Sequence, residues 1–384
     1  MNTKPLKILI LSYDWRNIFE NDFDELLLKL QRDRLAPELN DFFLISWSSK
    51  TYYAKKNSIE TYHLRACFGK FRAIYDILLI FLAPIILKRK SFYPDVVFVR
   101  DFPLIMPAAV VKLFLGSKII FFLGTMPTDL AASRKFARIR KLYYVFFQLV
   151  GKRFVDYFLA NGLVTKEYFL KMGIREDGIK IMTEDVVNRD MKLIANTSKG
   201  NVRERFSIGN DKKIILSVGR LVKEKGFEKL FKAFSNLLRD DLVLLIVGDG
   251  DYREELINFA HKLGIDKKIL FAGHVSRQEI WNFYKDADVF ILLSFSEGNP
   301  TVFREAMYME VPVIGSKIDP IREFVGRDGE RGFIWDEDDG IEDFRRKVDS
   351  CLDQLRNQEI IKKAKSYIST NISHNYNIND YIGH

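Results

Sequence analysis

Cysteine and histidine are scarce in this chain of 384 residues, which holds two cysteines and five histidines. The cysteines, Cys67 and Cys351, lie far apart and fit neither a CxxC motif nor a Cys/His metal spacing. This pattern predicts two buried thiols in a reducing compartment rather than a disulfide framework. With 47% hydrophobic and 29% charged residues, the chain has a globular composition, and its length favours two domains.

The sequence has no hydrophobic run long enough for a signal peptide at the N-terminus or for a membrane-spanning helix at residues 77–87. The N-terminal run Ile8–Leu11 is too short for a signal peptide, and no cleavage-site pattern follows it. The run Ile77–Leu87 falls well short of the roughly 20 residues that a membrane-spanning helix needs. We therefore expect a cytoplasmic protein without a spanning segment.

Positive charge is concentrated in the N-terminal half. The net charge is +9, and residues 1–180 contain 29 Lys and Arg against 17 Asp and Glu, a balance of +12. The basic residues of two segments are candidates for a membrane surface: Lys88, Arg89, Lys90, Arg134, Arg138 and Lys141. One interpretation is peripheral docking on an anionic membrane, and the other is an ordinary solvated basic face. No nucleic-acid motif accompanies the charge, so nucleic acid is not an expected partner.

Both halves of the chain alternate short β-rich runs with helical patterns. In the first half the predicted strands are Lys7–Leu11, Phe42–Trp47, Asp95–Val99, Lys118–Leu123, Asp156–Ala160 and Lys180–Met182. In the second half they are KIILSVG, LVLLIVGDG, KILFAGHV, DVFILLS and VPVIGSK. Continuous apolar strands separated by helices indicate parallel sheets covered on both faces. The pattern predicts an α/β protein with two doubly wound, Rossmann-like domains that face a central cleft.

The domain limits follow from this alternation. We expect a first domain at residues 1–187, a polar linker at 188–211 and a second domain at 212–362. The last segment, 363–384, has a helical pattern and is predicted to pack back on the first domain. Ligands of open α/β sheets bind at the carboxyl ends of the strands, so the functional residues are sought in loops that follow strands.

One such loop reads SEGNPTVFREAM and follows the strand DVFILLS. Asn299 is predicted as an N-cap and Pro300 as the first helical residue, which directs free backbone N–H groups at an anion such as phosphate. Glu297 and Glu305 lie on either side of this helix start, and carboxylates are good acceptors for hydroxyl groups. The order of hydroxyls, phosphate and hydroxyls indicates a nucleoside diphosphate sugar as ligand.

A second loop follows the strand KIILSVG and carries two cations. Arg220 and Lys225 lie between Gly219 and Gly226, and glycines allow a ligand to approach the backbone closely. The cations can neutralise a diphosphate. A helix-entry loop with surface basic residues is the alternative interpretation.

These segments together resemble the second domain of the retaining, nucleotide-sugar-dependent glycosyltransferases of family 4, which have the GT-B fold. The resemblance rests on VGRLVKEKGFEKLFKAF, LLIVGDGDYREEL, ILFAGHVSRQEIWNFYKDADVFILLSFSEGNPTVFREAM and PVIGSKIDPIREFV. It implies that the Glu-x7-Glu motif of the family falls on Glu297 and Glu305. Glu305 would hold the ribose, and Glu297 would contact the donor sugar near the reacting centre. Arg220 and Lys225 would bind the diphosphate.

The resemblance also implies further donor contacts and a mechanism. The donor-binding set is completed by Gly219, Gly273, His274, Val275, Gly298, Asn299, Pro300, Thr301 and Val302. The sugar would be transferred with retention to a saccharide or lipid-linked acceptor of a surface polysaccharide or glycolipid, with the departing phosphate as proton acceptor. No cofactor and no essential metal are expected, and Asp249–Asp251, although it mimics a metal-binding Asp-x-Asp, is interpreted as a turn.

Two alternatives stay open at the level of sequence. Family members often carry a glycine-rich loop after the first strand and a histidine after a middle strand of the first domain, whereas the first glycine here is Gly69 and FFLGTMPTD holds no histidine. The chain could therefore bind a nucleotide sugar without turnover. A GT-B-like epimerase or hydrolase would need a catalytic His and acid set, which this sequence lacks.

Overall fold

The computed structural model describes residues 5–11, 40–48, 51–56, 58–65, 72–100, 102–123, 145, 149, 151–181, 194, 201–237 and 239–372. They form two compact units. The first unit contains the described residues up to Ile181, and the second contains those from Ile194 onward.

The first unit is built on an eight-stranded sheet. Its strands are β1 Lys7–Leu11, β2 Asp41–Ser48, β3 Tyr52–Lys56, β4 Ile59–Arg65, β5 Val96–Val99, β6 Lys118–Leu123, β7 Tyr157–Ala160 and β8 Ile179–Ile181. The order is β3-β4-β2-β1-β5-β6-β7-β8. All pairs are parallel except β3 with β4. Strand β1 is buried on both faces, which explains its unbroken apolar sequence.

Among the described residues of this unit, the longer helices are α1 Arg72–Arg89, α2 Ile105–Leu115 and α3 Leu163–Lys171. Helix α1 contains the apolar run singled out in the sequence, and it packs against α2. Because the helix repeats every 3.6 residues, the run divides between two faces. Leu79 and Ala83 are buried in the core, whereas Phe81 and Ile85 are 65% and 48% exposed.

The second unit has a six-stranded, wholly parallel sheet. Its strands are β9 Lys213–Val218, β10 Leu242–Val247, β11 Ile269–Gly273, β12 Val289–Leu292, β13 Val313–Ser316 and β14 Phe333–Trp335. The order β11-β10-β9-β12-β13-β14 is the 3-2-1-4-5-6 arrangement of dinucleotide-binding Rossmann sheets. The winding reverses between β9 and β12, so the carboxyl ends of these two strands flank the expected ligand position.

The helices of the second unit cover both faces of this sheet with apolar side chains. They are α4 Asn201–Arg205, α5 Phe227–Ser235, α6 Arg253–Lys262, α7 Ile280–Asp286, α8 Thr301–Tyr308, α9 Asp319–Val325, α10 Ile341–Leu352 and α11 Gln354–Ile372. The predicted fold class, two doubly wound α/β domains, is confirmed.

The β3–β4 hairpin was not among the predicted strands. Its sequence mixes aromatic and polar residues and lacks the continuous apolar pattern of the other strands, because the hairpin lies at one edge of the sheet. His63 lies on β4 and is buried.

Part of the predicted linker, 188–211, is built into the second unit. Helix α4 starts beside the buried carboxylate of Asp286, which accepts a hydrogen bond from the Val202 N–H at 2.9 Å. The anion at the start of the helix satisfies a backbone donor that has no helical partner. Val202 is buried in the core of the second unit.

Helix α11 packs on the second unit through Ala364 and Ile368. Residues 373–384 of the segment predicted to return to the first domain lie outside the described residues. At the end of α8, Glu310 adopts a left-handed backbone with φ of 63°. Its carboxylate forms an ion pair with Lys365 of α11.

Candidate functional site

The loops that follow β9 and β12 meet at the carboxyl edge of the second sheet. Gly226 has a φ of 65°, and a Cβ at this position would lie 2.0 Å from the carbonyl oxygen of Leu293. The amide of Phe295 donates to the carbonyl of Glu224 at 2.9 Å. Only glycine fits at position 226, so the two loops are held in direct backbone contact.

This contact brings two of the predicted catalytic residues together. Lys225 Nζ lies 2.7 Å from Glu297 Oε1, and Ser294 Oγ donates to the same oxygen at 2.6 Å. The Glu297 side chain is 8% exposed and that of Lys225 is 24% exposed. A buried carboxylate that is bonded to a lysine and a serine is fixed in orientation.

The loop after β12 is also fixed from the neighbouring strand. Ser316, at the end of β13, donates from Oγ to the carbonyl of Ser294 at 2.6 Å, and this bond is buried. Glu297 follows Ser294 by three residues on the same loop. The position of Glu297 therefore depends on β13 as well as on β9 and β12, the two strands between which the winding reverses.

Arg220 lies on the loop after β9 and is exposed. Within the described parts of the chain, its guanidinium has no ion-pair partner, unlike Lys225. The turn Asp249–Asp251 supports this loop, because the Leu221 amide donates to the Asp249 carbonyl at 3.0 Å and Tyr252 donates its amide to Leu221. Asp249 and Asp251 thus occupy a turn after β10, and no group of three or more His, Cys, Asp or Glu residues suited to a metal occurs in the described ranges.

Helix α8 begins one residue later than the sequence predicted. Thr301 is its first residue and Pro300 is the N-cap, with ψ of 85°, outside the helical range. The Pro300 carbonyl accepts from the amides of Phe303 and Arg304. The prediction of Asn299 as the cap was therefore wrong by one position, because the first helical hydrogen bonds start from Pro300. The start of α8 directly follows the loop that carries Glu297.

Glu305 lies inside α8 and is almost completely buried, with 1% of the residue exposed. Arg277 Nη1 donates to Glu305 Oε1 at 2.7 Å, and the hydroxyl of Tyr284 donates to Oε2 at 2.7 Å. Burial, together with the charge of Glu305, raises the pKa of Tyr284 well above its ordinary value. The phenol is therefore protonated and available as a donor throughout the usual pH range.

Sequence reasoning missed Arg277 and Tyr284. In the sequence pattern, Tyr284 looks like an ordinary apolar position of a helix. Arg277 looks like a surface cation that precedes this helix. Both residues reach Glu305 across the fold, from 28 and 21 positions earlier in the chain, which a linear pattern does not show. The only signal in the sequence is that Arg277 closely follows the predicted donor-binding segment Gly273–Val275.

That segment lies at the end of β11, an edge strand that is separated from β9 by β10. Gly273 has a φ of 70°, and its carbonyl accepts from the Gly248 amide at 2.9 Å. His274 is exposed and Val275 is half-buried. The structure therefore places Gly273–Val275 on the same edge of the sheet as the two loops.

The basic residues predicted to meet a membrane are partly described. Lys88, Arg89 and Lys90 are exposed at the end of α1, and Lys90 Nζ lies 3.5 Å above the ring of Tyr53. Arg134, Arg138 and Lys141 lie outside the described residues. Within the described ranges, no helix combines the length and the apolar character that crossing a bilayer requires.

Beside this cluster the first unit exposes apolar side chains. Phe81, Ile85 and the basic pair Lys88–Arg89 share one face of α1, since they are spaced by three or four residues. On the neighbouring helix α2, Leu113 and Phe114 are 72% and 76% exposed. We call Phe81, Ile85, Leu113, Phe114 and Lys88–Lys90 the apolar-basic surface.

Comparison with known proteins shows what the second unit resembles in sequence. Residues 198–367 match the family described as glycosyl transferases group 1. An uncharacterized glycosyltransferase of Methanocaldococcus jannaschii is 32% identical over 152 residues, which are 39% of this chain and 39% of that protein. The lipopolysaccharide 1,2-N-acetylglucosaminetransferase of Salmonella typhimurium is 30% identical over 185 residues, which are 45% of this chain and 48% of that protein. The matched part thus spans less than half the length of these curated relatives.

The fold is shared over almost the whole chain. The crystal structure of Anabaena HepE in complex with UDP-glucose superposes with a TM-score of 0.69, at 17% sequence identity, over 98% of each chain. This likeness concerns the fold, which in such neighbours is the GT-B fold. Residues 198–367 are thus similar in sequence to group 1 glycosyl transferases, and the chain has the GT-B fold.

Proposed function

We propose that the chain is a retaining glycosyltransferase that moves a sugar from a nucleotide-sugar donor to a saccharide or lipid-linked acceptor. The observation that carries this proposal is the junction of the two loops at the switch point, where Lys225 and Glu297 touch at 2.7 Å beside the start of α8. The match to glycosyl transferases group 1 and a relative named for lipopolysaccharide synthesis support it. Synthesis of a surface polysaccharide or glycolipid is the corresponding role.

The donor would lie along the carboxyl edge of the second sheet. Its nucleoside end would meet Gly273–Val275 and Glu305, whose carboxylate accepts hydrogen bonds from ribose hydroxyls. Its diphosphate would meet Arg220, Lys225 and the N–H groups at the start of α8, which attract anions. Its sugar would meet Glu297 and the backbone of residues 298–302.

The reaction is a substitution at the anomeric carbon. The bond between that carbon and the diphosphate oxygen breaks as the acceptor hydroxyl forms a new bond on the same face, through an oxocarbenium-like state. The acceptor proton passes to the departing phosphate oxygen. Glu297 faces the positive charge that develops on the sugar, and Arg220 and Lys225 stabilise the negative charge on the leaving group. With these cations in place, we expect no essential metal.

The first unit would recognise the acceptor. The apolar-basic surface combines exposed aromatic and aliphatic side chains with cations, a combination that suits an anionic lipid surface. We expect peripheral association with the cytoplasmic face of a membrane, where lipid-linked acceptors are found.

Release of nucleotide tests the activity directly. The protein is incubated with UDP-, GDP- and ADP-sugars, with and without a membrane lipid extract, and free nucleoside diphosphate is measured. Release that depends on the extract supports transfer, and anomeric configuration of the product by NMR tests retention. Donor binding without release under every acceptor condition would favour a binding protein that has lost turnover.

A metal requirement is tested with the same assay. Activity that survives excess EDTA is the expected result, because Arg220 and Lys225 neutralise the diphosphate. Loss of activity that Mg²⁺ or Mn²⁺ restores would contradict this part of the proposal.

A further inference from the structure

The two oxygens of the Glu305 carboxylate have different partners. Oε2 accepts from the hydroxyl of Tyr284, and Oε1 accepts from Arg277 Nη1, each at 2.7 Å. The carboxylate is 2% exposed. A ribose hydroxyl that reaches this group must therefore find an oxygen whose present partner can give way.

Tyr284 is not such a partner. The residue is fully buried, and its ring packs against Trp281 and Phe290 with centroid distances of 5.8 Å and 5.9 Å. Movement of the phenol would open a cavity in the core, which costs stability. Its hydrogen bond fixes the plane of the carboxylate.

Arg277 is placed differently. Its side chain is 37% exposed, so it borders solvent, and it precedes α7 rather than lying within it. Its guanidinium carbon lies 4.8 Å from the centroid of the Trp281 ring. The flat guanidinium can slide along this ring and keep a favourable contact after it leaves Glu305.

We infer that Arg277 is an exchangeable partner of Glu305: it holds the carboxylate in the free protein and yields Oε1 to a ribose hydroxyl when the donor binds. This inference rests on the proposed function, since it assumes that Glu305 receives the nucleoside. Tyr284 is the permanent partner and keeps the carboxylate oriented through the exchange. Arg277 is thus a positioning residue of the nucleoside site whose ion pair opposes binding.

A double-mutant cycle on nucleotide affinity isolates the exchange. UDP is titrated calorimetrically into the wild type, Arg277→Met, Glu305→Gln and the double variant; GDP or ADP replaces UDP if the wild type binds it more tightly. Methionine keeps a flexible, apolar contact with Trp281 but removes the ion pair. Any contact that Arg277 itself makes with bound nucleotide contributes in both backgrounds and cancels.

The exchange predicts coupling with a defined sign. Arg277→Met should lower the Kd by about three- to tenfold more in the wild-type background than in the Glu305→Gln background, because only the wild type has an ion pair to break. Equal effects in both backgrounds, or a larger loss of affinity in the wild-type background, would overturn the exchange while leaving nucleotide binding established. Failure of the wild type to bind UDP, GDP and ADP would instead overturn the proposed function and, with it, this inference.

Two further variants guard the result. If Arg277→Met does not fold, Arg277→Gln replaces it in the cycle, because the amide keeps a neutral donor near Glu305. Tyr284→Phe removes the fixed hydrogen bond and should reduce the preference for UDP over 2′,3′-dideoxy-UDP. An unchanged preference in Tyr284→Phe would overturn the role of Tyr284 as permanent partner.

Discussion

The two units are wound in the same way and differ in what they present to solvent. Among the described residues, the first unit exposes large apolar side chains on its helices, such as Phe81, Leu113 and Phe114. In the second unit the one exposed large apolar side chain among them is Phe295, on the loop after β12. The charge is divided as well, with +12 in residues 1–180 and −3 in the remainder.

This difference shows that the topology of a sheet determines where a ligand can bind, whereas the side chains at that place determine which ligand binds. In the second unit the polar residues of the edge loops are tied to one another at hydrogen-bond distance, as Lys225, Glu297 and Ser294 are. Such a preorganised polar site suits a small charged ligand. The apolar-basic surface of the first unit suits an extended partner such as a lipid surface.

A substitution at Arg220 should separate the two units most clearly, because it should reduce sugar transfer without affecting membrane association. Arg220→Gln should lower the turnover number by about 100-fold or more, because it removes a cation from the leaving diphosphate. Sugar transfer is measured by nucleotide release and membrane association by sedimentation with anionic liposomes. The association should be unchanged, and the exposed Arg322→Gln serves as control; a parallel loss of both properties would contradict the division between the units.

The second unit should also depend on a buried ion pair near the site. Lys229 Nζ lies 2.6 Å from Asp336 Oδ1, with 4% and 35% of the two side chains exposed. Asp336→Ala leaves the ammonium of Lys229 buried without this partner and should lower the free energy of unfolding by about 2 kcal/mol, below the usual range because Asp336 is partly solvated. Chemical denaturation measures the loss, and the exposed Asp338→Ala should show little change.

The ion pair between Lys229 and Asp336 should also make the stability of the second unit depend on pH. Burial opposes ionisation of Asp336, but hydrogen bonds from Lys229 and from the Glu337 amide outweigh it and hold the pKa below its ordinary value. A depressed pKa in the folded state adds stability that is present above the ordinary value and is lost as the pH falls through the folded value. Asp336→Asn should therefore reduce the fall in the free energy of unfolding at acid pH, measured by chemical denaturation over a range of pH. If the fall is unaltered, other carboxylates cause it.

A smaller effect is expected from Glu305, on binding rather than on the chemical step. Glu305→Ala should weaken the affinity for nucleoside diphosphate by about tenfold, because the hydroxyls of ribose lose a charged acceptor. Titration calorimetry measures it, with the exposed Glu255→Ala as control. Unchanged affinity would count against the assignment of Glu305 to the nucleoside.

The smallest effect concerns the first unit alone. Arg89→Gln should reduce association with anionic liposomes by about fivefold, which corresponds to about 1 kcal/mol for one surface charge. Lys232→Gln, a comparable change on the second unit, should have no effect. Association that is insensitive to Arg89 and to salt would show that the basic end of α1 does not meet the lipid.

The sequence was sufficient for the fold because buried parallel strands carry a local signal. Strands β1 and β6 begin and end where the apolar runs predicted, and the loops after β9 and β12 could be located from the strands they follow. The β3–β4 hairpin was not predicted, because strands at the edge of a sheet need no continuous apolar sequence. The start of α8 was displaced by one residue, within the usual variation of helix ends.

The site could be predicted only in part. Glycines and charges after strands singled out the two loops, and the structure holds Lys225 and Glu297 of these loops 2.7 Å apart, whereas their roles toward a donor stay predictions. Arg277 and Tyr284 could not be found, because they lie 28 and 21 positions before Glu305 and meet it only in the folded chain. Which side chains share a hydrogen bond across two helices is a property of tertiary packing rather than of sequence spacing.

The left-handed residue Glu310 has a consequence for how the chain loses structure. Its backbone conformation costs about 1–2 kcal/mol relative to a right-handed one, and glycine would avoid that cost. Its ion pair with Lys365 ties the end of α8 to α11. The last turns of the two helices should therefore open as one cooperative segment in hydrogen exchange. A perturbation far along the chain, in α11, would then reach the helix that carries Glu305.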